Sequence, residues 1–149
     1  MNRIQKQSWL TVACFSVALI LSVIAVVILY SRSGFPVANA GLGFLGFTGF
    51  AGLGSFIFKK DPGAVSFDER DHLINLKAVR AGFGLSYGIF IASCMGVYTY
   101  CKTQSIEVIS IETLPMFIWP PFIAVFLGHA VATLILYGKD NKQSEGGAA

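Results

Sequence analysis

His129 sits inside FLGHAVATL and is the one side chain in any of the chain's long apolar blocks that readily gains charge near neutral pH. An imidazole in such a place can bond structurally, hold a proton, a quinone or another small ligand, or meet a second subunit. It needs some partner, because a polar group left bare in hydrocarbon costs several kcal/mol. Counting from Tyr137 places it about 12 Å inside the apolar layer. The same depth falls near Tyr87 and Gly88 when counted from Arg80, near Ser16 when counted from Trp9, and near Ala51 when counted from Lys59. The expected cluster is therefore His129, Tyr87 and Ser16, framed by Gly52 and Gly88, with a neutral imidazole donating to Tyr87 or a serine.

The second concentration of reactive side chains is SFDERDHLINLK, residues 66–77. Asp68, Glu69, Arg70, Asp71 and His72 include the residue types that bind metals and move protons. Adjacent positions do not share a helix face, however, so only Asp68 and His72 pair clearly. One carboxylate and one imidazole make an incomplete metal set, and no His-Glu-x-x-His is present. Ser66 and Glu69 instead have the spacing of a capping box, and Asp68 suits the start of a helix dipole. A helix starting here would run through Arg80 into the apolar block beyond, with Asp68–His72 as a collar or docking box.

Other chemistries lack their parts. His72 would lie about 24 Å from the level of His129 in a continuous helix, too far for the two to share one haem. Cys14, Cys94 and Cys101 contain no Cys-x-x-Cys and read as packing residues. The expectation is no metal and no recognisable catalytic constellation, which weighs against an enzyme and leaves that class open only with residues from a partner. No cofactor is predicted; structural lipids are expected, and haem between two copies or a quinone is left open.

The elements that must position these residues are long and apolar. Of 149 residues 54% are hydrophobic and only 13% charged, about half the charge of a soluble domain. Residues 9–30, 35–58, 81–101 and 113–138 carry no charge and are each long enough to cross about 30 Å of hydrocarbon. The predicted fold is all-α: one domain, 1–138, forming a four-transmembrane-helix bundle with spans at about 9–30, 37–58, 80–101 and 114–137. A short amphipathic helix precedes the third span, and a disordered tail covers 139–149. Pro120 or Pro121 is a natural first turn for the last regular helix, with 106–119 as an outer elbow.

Four spans leave both termini on one side. Arg3, Lys6, Lys59, Lys60, Arg70, Lys77, Arg80, Lys139 and Lys142 lie on that side, against Arg32 and Lys102 on the other. That asymmetry predicts cytoplasmic termini and a cytoplasmic box. The net charge of +3 follows from it and calls for acidic lipids, not nucleic acid.

Small residues set the expected contacts, since lipid-embedded helices associate by close packing. Gly84, Gly88, Ala92 and Gly96 recur every four residues, as do Ala124, Gly128 and Ala132, and Cys14, Ala18 and Ser22. Gly43, Gly46, Gly49 and Gly52 recur every three, and on an α-helix would precess by about 60° per step into a broad spiral.

DERDHLINLKAVR followed by a glycine-rich apolar span resembles the box of small bacterial integral membrane proteins in which Asp-Glu-Arg-Asp/Glu precedes a transmembrane helix. The resemblance covers residues 68–80 and implies a bacterial inner-membrane protein with the box in the cytoplasm. Together these features lead us to expect a small membrane subunit or regulatory scaffold, in a homo-oligomer or a larger membrane-protein complex, docking through its glycine-rich faces. The alternatives are an oligomeric proton-coupled transporter using His129 and a membrane enzyme completed by a partner.

Overall fold

The computed structural model describes residues 3–35, 37–58 and 69–146. Among them α1 spans Arg3–Ser33, a 3₁₀ helix spans Val37–Leu53, and the single turn α2 (Gly54–Ile57) ends that segment. Helix α3 runs unbroken over Glu69–Thr103, and a 3₁₀ turn at Ile111–Thr113 leads into α4, Leu114–Gly146. Residues 59–68, which hold Lys59, Lys60, Ser66 and Asp68, lie outside the described residues. The proposed Ser66–Glu69 cap and Asp68–His72 pair lie there with them.

The helices α1, α3 and α4 are long and apolar enough to cross a membrane. The molecule is thus an all-α, multi-span bundle. Its apolar side chains largely face outward: Ile20, Val27, Phe83, Tyr87 and Ile135 all expose half or more of their surface. Hydrocarbon, not water, is the medium that tolerates such a surface.

Two hairpins make the bundle. The 3₁₀ helix packs on α1, and α3 packs on α4. Helix α1 also meets α4, so α1 and α4 form the middle of the assembly. Phe15, Ala18, Leu45 and Ile123 join α1, the 3₁₀ helix and α4 in one buried cluster, with Leu19, Leu42, Trp119 and Leu127 against it. Ala18 and Ser22 are buried, as their four-residue spacing predicts.

The second segment departs from expectation. It is a 3₁₀ helix, not an α-helix, and three residues per turn superimpose every third side chain. Gly43, Gly46, Gly49 and Gly52 therefore form a straight column instead of a spiral. Phe44, Phe47 and Phe50 make a second column, with rings stacked at centroid distances of 6.1 and 5.7 Å. Leu42, Leu45, Thr48 and Ala51 make the third, turned toward the core. Long 3₁₀ helices are rare because side chains at i and i+3 eclipse. Here one eclipsed column has no side chains, one gains from ring stacking, and one packs on α1.

Helix α4 also differs from the sequence reading. It begins at Leu114, with Pro115 in its first turn and both Pro120 and Pro121 inside it, so residues 114–119 are helix and not an elbow. The two prolines leave the carbonyls of Met116 and Phe117 without their usual donors four residues on. Residues 106–110 are irregular, and Ser110 caps the 3₁₀ turn by accepting from the Glu112 amide. At the other end α4 continues to Gly146, past residue 139 where an irregular tail was expected.

Candidate functional site

The third and fourth helices meet along a seam that the sequence reading misplaced. Ile74, Ala78 and Gly82 are the buried residues of α3, four apart, and Ser86 continues the row. A Cβ added to Gly82 would come within 2.6 Å of the Val125 carbonyl oxygen and 3.0 Å of the His129 nitrogen. Across the seam, a Cβ on Gly128 would lie 3.3 Å from the Gly82 Cα. Ala124 is buried and Ala132 half-buried on the same side of α4, so the small row predicted there does pack.

Gly84, Gly88, Ala92 and Gly96 do not belong to this seam. All four are exposed, and Cβ atoms at the three glycines would meet nothing within 4 Å. Gly82 and Gly84 differ by about 200° around an α-helix, so a row through one faces away from a row through the other. The signal that finds the right row is Ala78-x-x-x-Gly82-x-x-x-Ser86, which continues the apolar face of Ile74.

His129 is placed by this close approach. Its Nε2 lies 3.0 Å from Asn75 Oδ1. The amide oxygen can only accept, so Nε2–H donates, leaving the Asn75 amide N–H groups and the imidazole Nδ1 for other partners. The Thr133 hydroxyl donates to the His129 carbonyl at 2.8 Å. Tyr87 is not part of the cluster: it is 68% exposed on the far side of α3. Ser16 and Gly88 are likewise absent from the surrounding wall, whereas Gly52 is present. Depth counting failed because it took Arg80 as the start of the third span. The α3 residues that reach His129, Asn75 and Gly82, straddle that arginine.

Further polar ties bracket the pair. The Tyr137 hydroxyl donates to Asp71 Oδ1, and Ser86 Oγ donates to the Pro121 carbonyl at 2.8 Å. Asp71, Asn75, Gly82 and Ser86 on α3 thus meet Tyr137, His129, Gly128 and Pro121 on α4. Asp71, expected in a docking box, is half-buried inside the chain; Glu69, Arg70 and His72 are exposed.

Beside His129 lies a cavity of about 580 Å³. Gln7, Ser8, Thr11 and Phe15 of α1 line it, with Thr48, Gly49, Ala51 and Gly52 of the 3₁₀ helix, Asn75 of α3, and Phe122, Phe126, His129 and Ala130 of α4. Thr11 and Thr48 spend their hydroxyl protons on the Gln7 and Leu45 carbonyls, at 3.0 and 2.7 Å, so both hydroxyl oxygens can accept. None of these lining side chains is an acid or a base apart from His129 itself. Among the described residues no three His, Cys, Asp or Glu side chains gather as a metal site.

A different kind of site lies on the outer surface. The Gly43–Gly46–Gly49–Gly52 column is exposed, with nothing within 4 Å of a Cβ built on any of them, and its Gly49–Gly52 end borders the cavity beside His129. Gly41 on the same helix is the opposite case, with its Cβ position 2.6 Å from the Val26 nitrogen. Gly41 therefore fastens the hairpin, and the next four glycines leave a flat strip beside the stacked phenylalanines. Compared with known proteins, the chain matches no family model, no curated protein and no solved structure.

Proposed function

We propose that the protein is a small integral membrane subunit or regulatory scaffold that docks to partner helices through the strip of its 3₁₀ helix. One observation carries this reading: Gly43, Gly46, Gly49 and Gly52 are aligned and exposed, with nothing within 4 Å of a Cβ built on any of them, and the ring stack of Phe44, Phe47 and Phe50 walls the column. A bare backbone strip lets another helix approach closely, which is the main source of helix affinity in lipid. The exposed Gly84, Gly88, Ala92 and Gly96 row of α3 is a second face of the same kind.

The 3₁₀ segment is read as a fourth crossing. At about 2.0 Å per residue its length comes to about 34 Å, enough for the hydrocarbon layer. The nine-to-two distribution of basic residues supports cytoplasmic termini and a bacterial inner-membrane setting, and it puts Glu69, Arg70 and His72 within reach of cytoplasmic partners.

Crosslinking in native membranes, followed by purification in mild detergent, tests the reading. Wild-type protein should emerge as an oligomer or with a stoichiometric partner, and Gly46→Leu or Gly49→Leu should release it as a folded monomer. A wild-type protein that is monomeric and alone would end the proposal.

A second reading, a proton-coupled carrier, draws on the cavity around His129. Its test is pH-dependent flux in proteoliposomes that disappears in His129→Phe.

A further inference from the structure

The cavity beside His129 has a composition that selects one class of occupant. Its polar wall is Gln7, Ser8, Thr11, Thr48, Asn75 and His129, and its other wall is aromatic. Phe15 and Phe126 lie 5.8 Å apart, Phe126 and Phe122 5.0 Å, and Trp119 stands edge-on to Phe122 at 5.5 Å. Among the described residues no fixed charge lines the space, so against this wall an ionic ligand would be buried without a counterion, at large cost. A purely apolar chain would leave the Asn75 N–H groups and the His129 Nδ1 facing it without partners, again at a cost. The volume falls in the ordinary range for small-molecule sites.

The hydrogen-bonding inventory narrows the class further. The Asn75 amide N–H groups, with Gln7 and Ser8, are donors for carbonyl oxygens. Thr11 and Thr48, whose protons are committed to the backbone, and the His129 Nδ1 are acceptors for hydroxyls. A ligand that fits must be neutral and flat enough to lie on phenylalanine faces. It must carry oxygens at its edge that work as carbonyls or as hydroxyls. It must also be lipid-soluble to reach a cavity within membrane-crossing helices.

We infer that this cavity binds the headgroup of a quinone or quinol, held between the Phe15–Phe126–Phe122 wall and the Asn75–His129 pair. The inference concerns binding. It rests on the membrane reading but not on docking by the 3₁₀ strip.

Trp119, packed edge-on behind Phe122 of that wall, supplies the probe. Full-length protein carrying Trp9→Phe is placed in phosphatidylcholine nanodiscs and titrated with decylubiquinone while Trp119 fluorescence is followed. Binding should give saturable quenching, and Asn75→Leu and Thr48→Val should each weaken it about tenfold. Tyr87→Phe, on the far side of α3, should leave it unchanged. A thermal melt of each variant separates lost binding from lost fold, and Thr48→Val serves if Asn75→Leu does not fold. Quenching that rises linearly with the quinone-to-lipid ratio would overturn the inference. So would saturation that both folded variants retain, or displacement by decane as effective as by a second quinone. Failure here, with the oligomer intact, would leave the docking proposal standing.

Discussion

Gly82 and Gly128 face one another across the α3–α4 seam, with the Gly82 Cα only 3.3 Å from where a Gly128 Cβ would stand. No side chain fits between these backbones, and the polar pairs on both sides depend on that closeness. Gly82→Ala should therefore be destabilising, because its new methyl meets the Val125 carbonyl and the His129 backbone, neither of which can swing aside. Overpacking of this kind costs about 1–3 kcal/mol. Gly84→Ala and Gly88→Ala, open to their surroundings, should be neutral or gain up to about 1 kcal/mol of helix propensity. Unfolding of the three variants in mixed micelles separates the two rows. Equal effects at Gly82 and Gly84 would refute the seam.

The His129–Asn75 hydrogen bond should register in a double-mutant cycle. Asn75→Leu strands the imidazole and His129→Phe strands the amide, each at about 1–3 kcal/mol. The double variant should recover about 0.6–1.7 kcal/mol, the range found for hydrogen bonds between membrane helices. Tyr87→Phe should change stability by less than about 0.5 kcal/mol, since Tyr87 is exposed on the opposite side. A large Tyr87 effect with no Asn75 coupling would restore the cluster expected from depth alone.

How much of this was legible in the sequence depends on which physical signal each feature leaves. Uncharged length announces α1, α3 and α4, and the demand of His129 for a partner could be stated before any partner was known. The partner could not. Asn75 lies among charged residues that read as an interfacial collar, and only the antiparallel packing fixed by Gly82 carries that turn of α3 down to His129. The 3₁₀ helix is written in the three-residue repeat LGFLGFTGFAG, a repeat that an α-helix of 3.6 residues per turn can also carry. The same glycines make a spiral on one helix and a column on the other.

Tyr137 and Asp71 close the seam at its polar end. Tyr137→Phe removes a hydrogen bond to a carboxylate and should cost about 1.5–3 kcal/mol. The loss should be local, raising amide hydrogen exchange in the first turns of α3 before it affects residues near Gly82. Exchange unchanged over residues 69–75 would mean that this bond does not hold the helix end down.

Ser105 offers a gain. It has a φ of 54°, the left-handed region, just after α3, where the Ile106 amide donates to the Cys101 carbonyl at 2.9 Å. Gly34, with φ of 69°, fills the comparable place after α1. Ser105→Gly relieves a conformation that costs an L-residue about 1–2 kcal/mol, and it should raise the unfolding temperature. Ser105→Val should lower it. A melting temperature indifferent to both substitutions would contradict this backbone geometry.

The 3₁₀ helix makes the most discriminating prediction, because its pitch fixes a length. Between residues 40 and 52, both exposed, the axial rise is about 24 Å at ~2.0 Å per residue. An α-helix over the same residues would rise only about 18 Å. Spin labels at Ala40→Cys and Gly52→Cys, in a background with Cys14, Cys94 and Cys101 replaced by serine or alanine, report that difference by pulsed dipolar spectroscopy in lipid. The longer distance is expected, and it should shorten if the three-residue pattern is broken by exchanging Gly46 and Gly49 for leucine, which restores crowding to the empty column. If the wild-type distance is the shorter one, the glycines spiral, the straight strip does not exist, and docking through it loses its basis.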